Sequence, residues 1–330
     1  NSPSFTKMFL TDHPHELPRL IMQARELNKL RGTFLHGLLK HNKEGRIHAH
    51  INQIRSDSGG TVTGRFSYNH PNLQQIPSRG QFAQDIRKIF IPETGEYWLK
   101  ADYSQQEPRL LTHFARLVDQ PGSGEVQKAY LEKDLDFHQQ TADMAGVQRN
   151  LAKTIGLGVM YGMGYHKLAR ELDMEPQEAK TMLQDFHAKV PFMKGMLEAV
   201  MNRANSKGVI RTLLGRKCRF DLWEPTQWGV HKALPLNQAQ TEYGMAIKRA
   251  YTYKALNRLI QGSAADQTKK AMVDVYEEMG IIPLIQVHDE LDCSVKSEIE
   301  AQKIKKIMEN CIELEVPSKV DINLGESWGA

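Results

Sequence analysis

Two strand-like segments stand far apart in this chain, and each lies next to an aspartate. The first, EYWLKADY at 96–103, contains Asp102, and the second, IIPLIQVH at 281–288, leads directly to Asp289, 187 positions after Asp102. Most of the sequence between them has a helical pattern, so one sheet would be assembled from separated pieces around a large helical insertion. The sequence therefore predicts an α+β fold in which both carboxylates lie at the same edge of a sheet.

Local patterns divide the rest of the chain into helices, strands and loops. Apolar residues at three- and four-residue steps predict helices at 16–40, 107–117, 124–205, 237–280 and 297–314. Breaks in the long helical region are predicted near Gly162 to Gly164, Pro176 and Pro191. β-like runs predict strands at 86–92, 96–103, 281–288, 291–296 and 319–322, and a hairpin at 208–220. The Gly-, Ser-, Asn- and Pro-rich residues 56–80 predict a long ordered loop of functional importance, and residues 221–236 predict a surface insertion.

The composition is that of an ordinary soluble globular protein, with 40% hydrophobic and 25% charged residues. An excess of 43 Lys and Arg over 39 Asp and Glu permits a polyanionic partner without requiring one. The 3 cysteines have no metal-like spacing and are odd in number, which favours a reducing cytoplasm over a secreted disulfide framework. No apolar run approaches the roughly 18 residues of a membrane-spanning helix, so no membrane partner is expected. The chain begins at Asn1 rather than at methionine, which indicates a processed product or the C-terminal part of a longer protein.

The two aspartates are candidate ligands for hard divalent cations, which prefer oxygen donors. An aspartate at a strand end is more often a helix cap or a turn residue than a metal ligand, so neither Asp102 nor Asp289 is decisive alone. Two carboxylates from facing strands supply the shared ligands of a two-metal mechanism, in which one cation activates a hydroxyl and the other neutralises a triphosphate. Glu290 points in another direction on a strand than Asp289 and is assigned as an outer or occasional ligand.

A helix-length segment after Gly146 carries residues suited to a nucleotide. Arg149, Lys153, Leu157 and Tyr161 are spaced by four and form one stripe, because four residues advance a helix by only about 40° beyond a full turn. Two cations, an apolar group and an aromatic ring suit a nucleoside triphosphate that lies lengthwise on the helix. The alternative is a solvated basic start that leads into a buried end. His138, just upstream, is a further candidate phosphate donor or an ordinary structural histidine.

Five longer motifs occur in a recognisable order, and a sixth, TLLGRKCRF, accompanies them. The five are TGRFSYNHPNLQQIPSR, DYSQQEPRLL, RNLAKTIGLGVMYGMG, LNRLIQGSAAD and QVHDEL. Together they resemble the signature of the family A DNA polymerases, the group of bacterial DNA polymerase I and phage replicative polymerases. The resemblance runs through nearly the whole chain from about Glu26 onward and points to a phage source.

The resemblance implies a right-hand polymerase architecture: an antiparallel palm sheet with a large inserted helical fingers subdomain and most of the thumb absent. The implied subdomains are a thumb remnant and lead-in to the palm at 1–58, palm at 59–115, fingers at 116–254, and palm again at 255–330. The implied function is a template-directed DNA polymerase that adds dNTPs to a primer 3′-hydroxyl by two-metal-ion nucleotidyl transfer, in DNA replication or repair. The alternatives are a single-subunit RNA polymerase and a catalytically incomplete DNA-binding half of a split polymerase.

The resemblance also implies roles for individual residues. The metal ligands would be the carboxylates of Asp102 and Asp289 and the backbone carbonyl of Tyr103, and the catalytic set would further include Lys153 and Glu290. The residues implied to bind the incoming dNTP are Arg149, Lys153, His138, Leu157, Tyr161 and Glu107. The residues implied to bind DNA are Arg65, Asn72, Gln75, Arg79, Asn257, Gln261 and His288. Glu107 falls at the steric gate that excludes a ribose 2′-hydroxyl, and the same position also suits a first-turn glutamate that the helix dipole favours.

The implied cofactors are two Mg²⁺ ions, for which Mn²⁺ would substitute. The implied partners are primer-template DNA, dNTPs, an upstream thumb and exonuclease portion on the same or a separate chain, and a processivity factor, with no membrane involved. The expected location is the cytoplasm, that of the host cell if a phage encodes the chain. Leu157 departs from the Phe or Tyr usual in the family, and Gly156 precedes it. This departure predicts altered discrimination against dideoxynucleotides.

Overall fold

The structure is a computed structural model that describes residues 5–57, 59–78, 82–133, 135–227, 229 and 231–330. Its α-helices are α1 (Lys7–Asp12), α2 (Glu16–Lys29), α3 (Gly37–Lys40), α4 (Ala83–Lys88), α5 (Gln106–Leu117), α6 (Ser123–Glu132), α7 (Phe137–Ala145), α8 (Arg149–Met160), α9 (Tyr165–Leu172), α10 (Pro176–Lys189), α11 (Pro191–Lys207), α12 (Leu236–Tyr243), α13 (Ala255–Met279) and α14 (Glu298–Asn310). Its strands are β1 (Asn42–Lys43), β2 (Arg46–Ile47), β3 (His50–Asn52), β4 (Ser67–Asn69), β5 (Tyr97–Tyr103), β6 (Val209–Arg211), β7 (Lys217–Arg219), β8 (Leu222–Pro225), β9 (Leu234–Pro235), β10 (Ile247–Arg249), β11 (Ile285–Val287), β12 (Glu290–Val295) and β13 (Val320–Gly325). A π-helical segment at Leu30–His36 joins α2 to α3, and short 3-10 helices occur at Leu73–Gln75 and Thr252–Lys254.

The central sheet has four antiparallel strands in the order β11-β12-β5-β13. Strand β5 therefore pairs with β12 and β13, which lie nearly two hundred and more than two hundred residues further along the chain, as the two separated aspartates predicted. Leu99 and Ala101 of β5 and Leu291 and Cys293 of β12 are fully buried. They form a core with α13 and α14, which cover this face of the sheet. Because side chains alternate along a strand, Asp102 belongs to the opposite face.

The helical insertion has its own core, which extends from α5 through α11 to the first half of α13. The predicted breaks are confirmed, because α8 ends before Gly162 and two helices begin at Pro176 and Pro191. Proline suits the first position of a helix, where its missing N–H would have no partner in any case. The α+β class with an inserted helical lobe is confirmed. Among the described residues, no helix combines the length and apolarity of a bilayer-spanning segment.

Residues 86–92, predicted as a strand, instead form the end of α4 and an irregular segment. Ala83 and Ile86 are buried one turn apart on the same side of α4, whereas a strand would bury alternate residues. The guanidinium of Arg87 lies 4.1 Å from the ring centroid of Trp328, which fixes the helix against the C-terminal end of the chain. The strand prediction was wrong because the apolar sequence around Ile86 gives no sign of this distant partner.

Residues 237–280, predicted as one long helix, form two helices with a strand between them. Helix α12 ends at Tyr243, and Gly244 follows with φ 74°, a conformation that other residues rarely adopt. Strand β10 then pairs with β8, which in turn pairs with β9. The predicted surface insertion at 221–236 thus contains two strands of a small sheet, β8 and β9. Because β8 pairs with β10, residues 247–249 form a strand where the sequence predicted helix. The predicted hairpin at 208–220 is confirmed by β6 and β7.

Candidate active site

The two aspartates meet at one edge of the central sheet. Asp102 is the second-to-last residue of β5, and Asp289 lies in the turn between β11 and β12. The backbone N–H of Tyr103 donates to the carbonyl oxygen of Asp289 at 3.2 Å, so the two segments are joined directly. In the antiparallel register, Asp102 lies opposite Glu290 on β12 and opposite Asp321 on β13. Asp102, Asp289, Glu290 and Asp321 are called the carboxylate cluster below.

The pKa values of both aspartates in this cluster are raised. The pKa of Asp102 is raised to about 7, first by partial burial and then by the charges of Asp289, Glu290 and Asp321. Burial also raises the pKa of Asp289, although the positive charge of Arg65 opposes the shift. Such mutual repulsion is relieved by a cation, and carboxylate oxygens are the donors that hard divalent cations prefer. The cluster therefore fits a divalent metal.

The ligand set that the chain offers is small. Among the described residues, no group of three His, Cys, Asp or Glu side chains is arranged as a metal cage. The side chain of Tyr103 points into the core, where its hydroxyl donates to the Met308 carbonyl at 2.7 Å. The side chain of Tyr103 is therefore not available to the cluster, and the role of its backbone carbonyl as a ligand stays a prediction. Metal binding would rest on Asp102, Asp289 and this carbonyl, together with oxygens from substrate and water.

Glu290 is held by side chains that the sequence analysis did not identify. The indole Nε1 of Trp328 donates to Glu290 Oε1 at 3.0 Å. Asp292, two residues further along β12, is fully buried and accepts the indole N–H of Trp98 at 2.8 Å. Burial and the charge of Glu290 raise the pKa of Asp292 well above its usual value. The available signal was an aspartate with an apolar neighbour on each side, Leu291 and Cys293, since a buried acid requires hydrogen-bonding partners.

A network of four predicted site residues adjoins the carboxylate cluster. Arg65 Nη2 lies 2.6 Å from Glu107 Oε1, and the hydroxyl of Tyr161 donates to Glu107 Oε2 at 3.0 Å. Gln261 on α13 is hydrogen-bonded to the Tyr161 hydroxyl. Burial and the charge of Glu107 raise the pKa of Tyr161 to about 12, so this hydroxyl remains a donor at neutral pH. Arg65, Glu107, Tyr161 and Gln261 come from four parts of the chain and are called the gate network below.

Helix α8 presents its basic start to solvent. Lys153 is exposed, and Arg149 Nη2 lies 2.7 Å from Asp136 Oδ2. Asp136 also caps α7, because its other carboxylate oxygen accepts the backbone N–H of His138 at 2.9 Å. Burial and the positive charges of Lys153 and Arg149 lower the pKa of His138. Lys153 and Arg149 thus place positive charge beside the His138 ring, which makes a suitable place for an anion. The sequence analysis missed Asp136, although an aspartate just before a helix is a usual cap.

The rest of the helix stripe, Leu157 and Tyr161, remains at least partly accessible. Leu157 is only partly buried and contacts the core of the helical insertion. The Tyr161 side chain is 41% exposed. The other residues from Ile155 to Met160 are buried, so a solvated start that leads into a buried end also describes this helix, and the nucleotide stripe stays a prediction.

The predicted DNA contacts are only partly brought together. Asn257 and Gln261 lie one turn apart on α13 and are half-buried, and His288 is exposed beside Asp289 with φ 58°. Asn72 accepts the Gln74 backbone N–H at 3.1 Å and thus caps a 3-10 helix. Gln75 is exposed on the same 3-10 helix and lines a separate cavity beside α2. Arg79 lies outside the described residues.

The fold and the site define a polymerase domain of the right-hand class. The sequence pattern of DNA polymerase family A matches residues 4–330, so the chain belongs to this family. It is 38% identical to the DNA-directed DNA polymerase of Pseudomonas phage M6 over 99% of this chain and 53% of that protein. It is 34% identical to the thermostable DNA polymerase I of Thermus aquaticus over 95% of this chain and 36% of that protein.

A solved structure shows the same fold. The polymerase domain of Pol1 from M. smegmatis, in complex with DNA primer-template and dNTP, superposes with a TM-score of 0.80 at 29% identity. The match covers 98% of this chain and 55% of that one. The present chain thus spans between about a third and about half the length of these relatives.

The raised pKa of Asp102 predicts how pH affects the metal-free protein. Its pKa is about 7 in the folded chain against a usual value of 3.8, so the folded state binds this proton more tightly than the unfolded state. The free energy of unfolding is therefore expected to fall as the pH rises from about 4 to about 7. Asp102→Asn removes the titrating group and should be more stable than the parent above pH 7 but equally stable near pH 4. Urea unfolding in EDTA measures this, and parallel pH profiles for parent and variant would contradict it.

Proposed function

We propose that this chain carries out template-directed DNA synthesis, adding deoxynucleotides to a primer 3′-hydroxyl with release of pyrophosphate. The observation that carries the proposal is the position of the gate network directly beside the carboxylate cluster. The carboxylates proposed to hold cations, the proposed sugar gate Glu107 and the Gln261 side chain of α13 lie close together at one edge of the sheet. The names of the relatives support the same reaction, as does the primer-template and dNTP complex of the solved neighbour.

Two Mg²⁺ ions, or Mn²⁺ in their place, are the proposed cofactors, held by the carboxylates of Asp102 and Asp289 and the carbonyl of Tyr103. When bound, the metals supply an activated primer hydroxyl and neutralise charge on the triphosphate and the leaving pyrophosphate. The chain's own contribution is to hold the two carboxylates close together, Asp102 on β5 and Asp289 in the turn before β12, where bound cations would favour their ionised forms. Glu290, fixed by the Trp328 indole, adds negative charge at the cluster's border without being a required ligand.

The incoming nucleotide is proposed to lie along α8. Its phosphates would contact Arg149, Lys153 and His138, and their negative charge would favour the protonated form of His138, which the two neighbouring cations disfavour. Leu157 would contact the sugar or base, and Tyr161 would lie at the templating position. Glu107 would occupy the space of a ribose 2′-hydroxyl, and its hydrogen bonds to Arg65 and Tyr161 hold it there.

The newly formed base pair is proposed to be tested through the minor groove. Every Watson-Crick pair presents an acceptor at nearly the same minor-groove position, so a donor there tests pair geometry without reading sequence. The donors proposed for this test are Arg65, Asn257, Gln261 and His288. Asn72, Gln75 and Arg79 are proposed to contact the template and the DNA backbone.

The subdomain boundaries implied by the sequence remain proposals: palm at 59–115 and 255–330, fingers at 116–254, and a thumb remnant at 1–58. We also propose a cytoplasmic location, an upstream thumb and exonuclease portion on the same or another chain, and a processivity factor as further partners. Membership of the family supports these proposals, and the upstream portion is further supported because this chain spans only 53% of the length of the phage relative.

Primer extension by the purified chain tests the proposed function. A labelled primer on a longer template, with Mg²⁺ and four dNTPs, should be extended to the template end with the sequence that the template dictates. Equal extension with ribonucleotides would instead identify an RNA polymerase. Binding without extension, unless the upstream portion is supplied, would identify half of a split enzyme. Binding without extension even then would identify a catalytically silent DNA-binding module and overturn the proposal.

A further inference from the structure

The residues that follow β13 reach back to the carboxylate cluster. Trp328 is only 1% exposed, and its indole Nε1 donates to the Glu290 carboxylate at 3.0 Å. A buried indole N–H needs a hydrogen-bond acceptor, and any backbone carbonyl would be sufficient. The acceptor here is instead the side chain that follows Asp289 in the chain and lies opposite Asp102 in the register of β12 and β5. A core tryptophan is thus bonded directly to the border of the cluster.

The ring of Trp328 is fixed by three neighbouring side chains. The Phe90 ring packs edge-on against it with 5.5 Å between centroids, and the Trp98 ring stacks on it at 6.1 Å. The Arg87 guanidinium lies 4.1 Å from its centroid. The backbone N–H of Trp328 also donates to the Phe90 carbonyl at 2.9 Å. The indole cannot rotate without losing these contacts, so the core sets the direction of its N–H.

The backbone around Trp328 is held as closely as its ring. A Cβ at Gly329 would lie 2.6 Å from a carbonyl oxygen and 2.7 Å from a backbone nitrogen of α4. The chain can therefore pass this close to α4 only as glycine. The Lys100 ammonium donates to the Ala330 carbonyl at 2.9 Å. Residues 328–330 are thus anchored both to α4 and to β5, the strand that carries Asp102.

The stacked tryptophans serve two different acids of β12. Glu290 and Asp292 are two residues apart and belong to the same face of the strand. Trp98 donates to Asp292, which is fully buried, whereas Trp328 donates to Glu290, which is only partly buried. Loss of either indole N–H would leave a carboxyl without its donor. Of the two donors, only Trp328 serves an acid of the carboxylate cluster.

The direction of the Glu290 carboxylate matters to the cluster because its charge reaches Asp102. Residues directly opposite each other in an antiparallel pair have Cβ atoms about 5 Å apart. The charge of Glu290 accordingly contributes to the raised pKa of Asp102. A carboxylate held beside Asp102 adds to the field that attracts a cation, and one that turns away does not. Hydrogen-bonding partners that orient groups around a metal typically change its affinity by about tenfold to a hundredfold.

We propose that Trp328 is a positioning residue whose indole N–H holds the Glu290 carboxylate beside Asp102 and so strengthens the binding of divalent cations by the carboxylate cluster. The inference rests on the proposed function in taking this cluster as the metal site. The rival is an ordinary core tryptophan whose N–H uses a nearby acceptor. Loss of the N–H would then change the stability of the chain and leave its affinity for cations unchanged.

The test uses Trp328→Phe, which keeps an aromatic ring in the core but removes the N–H donor. The matched control is Trp223→Phe, which removes an indole from β8, where the Arg249 guanidinium likewise lies 4.6 Å from the ring centroid. The EPR signal of free Mn²⁺ measures the Mn²⁺ affinity of each chain, and only binding that Asp102→Ala abolishes is counted as binding at the cluster. Urea unfolding measures the stability of each variant separately.

We expect Trp328→Phe to bind Mn²⁺ about tenfold more weakly than the parent and the control. It should also need about tenfold more Mg²⁺ for half-maximal primer extension, while its maximal rate stays within a few-fold of the parent. In a Glu290→Ala background, Trp328→Phe should have no further effect on Mn²⁺ affinity, because the indole acts through Glu290.

A Trp328→Phe chain that binds Mn²⁺ as tightly as the control overturns the inference, as does an effect that persists in full in the Glu290→Ala background. If Trp328→Phe does not fold, Glu290→Ala alone is measured: a loss of Mn²⁺ affinity of about tenfold supports the inference, and an unchanged affinity overturns it. Mn²⁺ binding requires no catalysis. A parent chain that shows these affinity changes but does not extend a primer would therefore overturn the proposed function and keep this inference.

Discussion

Asp102→Ala and Asp289→Ala are each expected to abolish Mg²⁺-dependent primer extension while leaving DNA binding largely intact. Each variant removes one of the two carboxylates that hold the cations, and the remaining oxygens are too few to keep both metals in place. A loss of about 4 kcal/mol of transition-state stabilisation, the order expected for a lost metal, lowers the rate about a thousandfold. Single-turnover extension with saturating DNA and dNTP measures the rate, and anisotropy measures DNA binding.

Asp321→Ala is the matched control for both variants. Asp321 lies opposite Asp102 in the register of β13 and β5 and contributes to the raised pKa of Asp102. Its side chain is 63% exposed and is not an expected ligand. The control removes a carboxylate from the same face and should retain extension within a few-fold of the parent. Full extension by either Asp102→Ala or Asp289→Ala would show that the metal ligands lie elsewhere.

Glu107→Ala is expected to admit ribonucleotides. The glutamate side chain is held by Arg65 and by the Tyr161 hydroxyl, so it cannot easily move aside for a 2′-hydroxyl. Removing the side chain opens the space that a ribose 2′-hydroxyl would occupy. A pocket that fits its substrate closely discriminates against one added group by about tenfold to a hundredfold. The ratio of the specificity constants for a dNTP and its rNTP, measured by single-nucleotide insertion, should fall by this factor.

Glu107→Gln separates the size of the side chain from its charge. Glutamine has nearly the same volume as glutamate but cannot form the ion pair with Arg65. If exclusion depends on volume, this variant keeps the sugar preference even where its overall rate falls. Unchanged sugar selectivity in Glu107→Ala would remove the gate assignment and leave a first-turn glutamate that stabilises the start of α5.

The sequence predicted those site residues whose evidence is local. Asp102 and Asp289 each lie beside an apolar β-like run, and a sheet that joins such runs brings their ends to one edge. The stripe on α8 follows from helical geometry alone, because residues four apart share a face. Glu107 and Gln261 were identified through the family resemblance, which rests on short motifs of consecutive residues, DYSQQEPRLL and LNRLIQGSAAD.

The parts that sequence analysis missed depend on contacts between distant residues. Nothing near Asp292 indicates that Trp98 donates to it, since the two are brought together only by the pairing of β12 with β5. The ion pair of Arg149 with Asp136 requires α7 and α8 to pack side by side. The end of α4 was predicted as a strand because its packing partner, Trp328, lies at the far end of the chain.

The gate network links the proposed sugar gate to a residue proposed to test the base pair. Glu107 holds both Arg65 and Tyr161, and Tyr161 in turn bonds to Gln261, so one carboxylate joins a sheet-proximal loop, the end of α8 and the face of α13. Side chains that share partners do not respond independently, and their energies of substitution do not add. In the proposed function, discrimination against ribonucleotides and the test of base-pair geometry would then be coupled. A wrong sugar at Glu107 or a mispair at Gln261 would disturb the hydrogen bonds of the whole gate network.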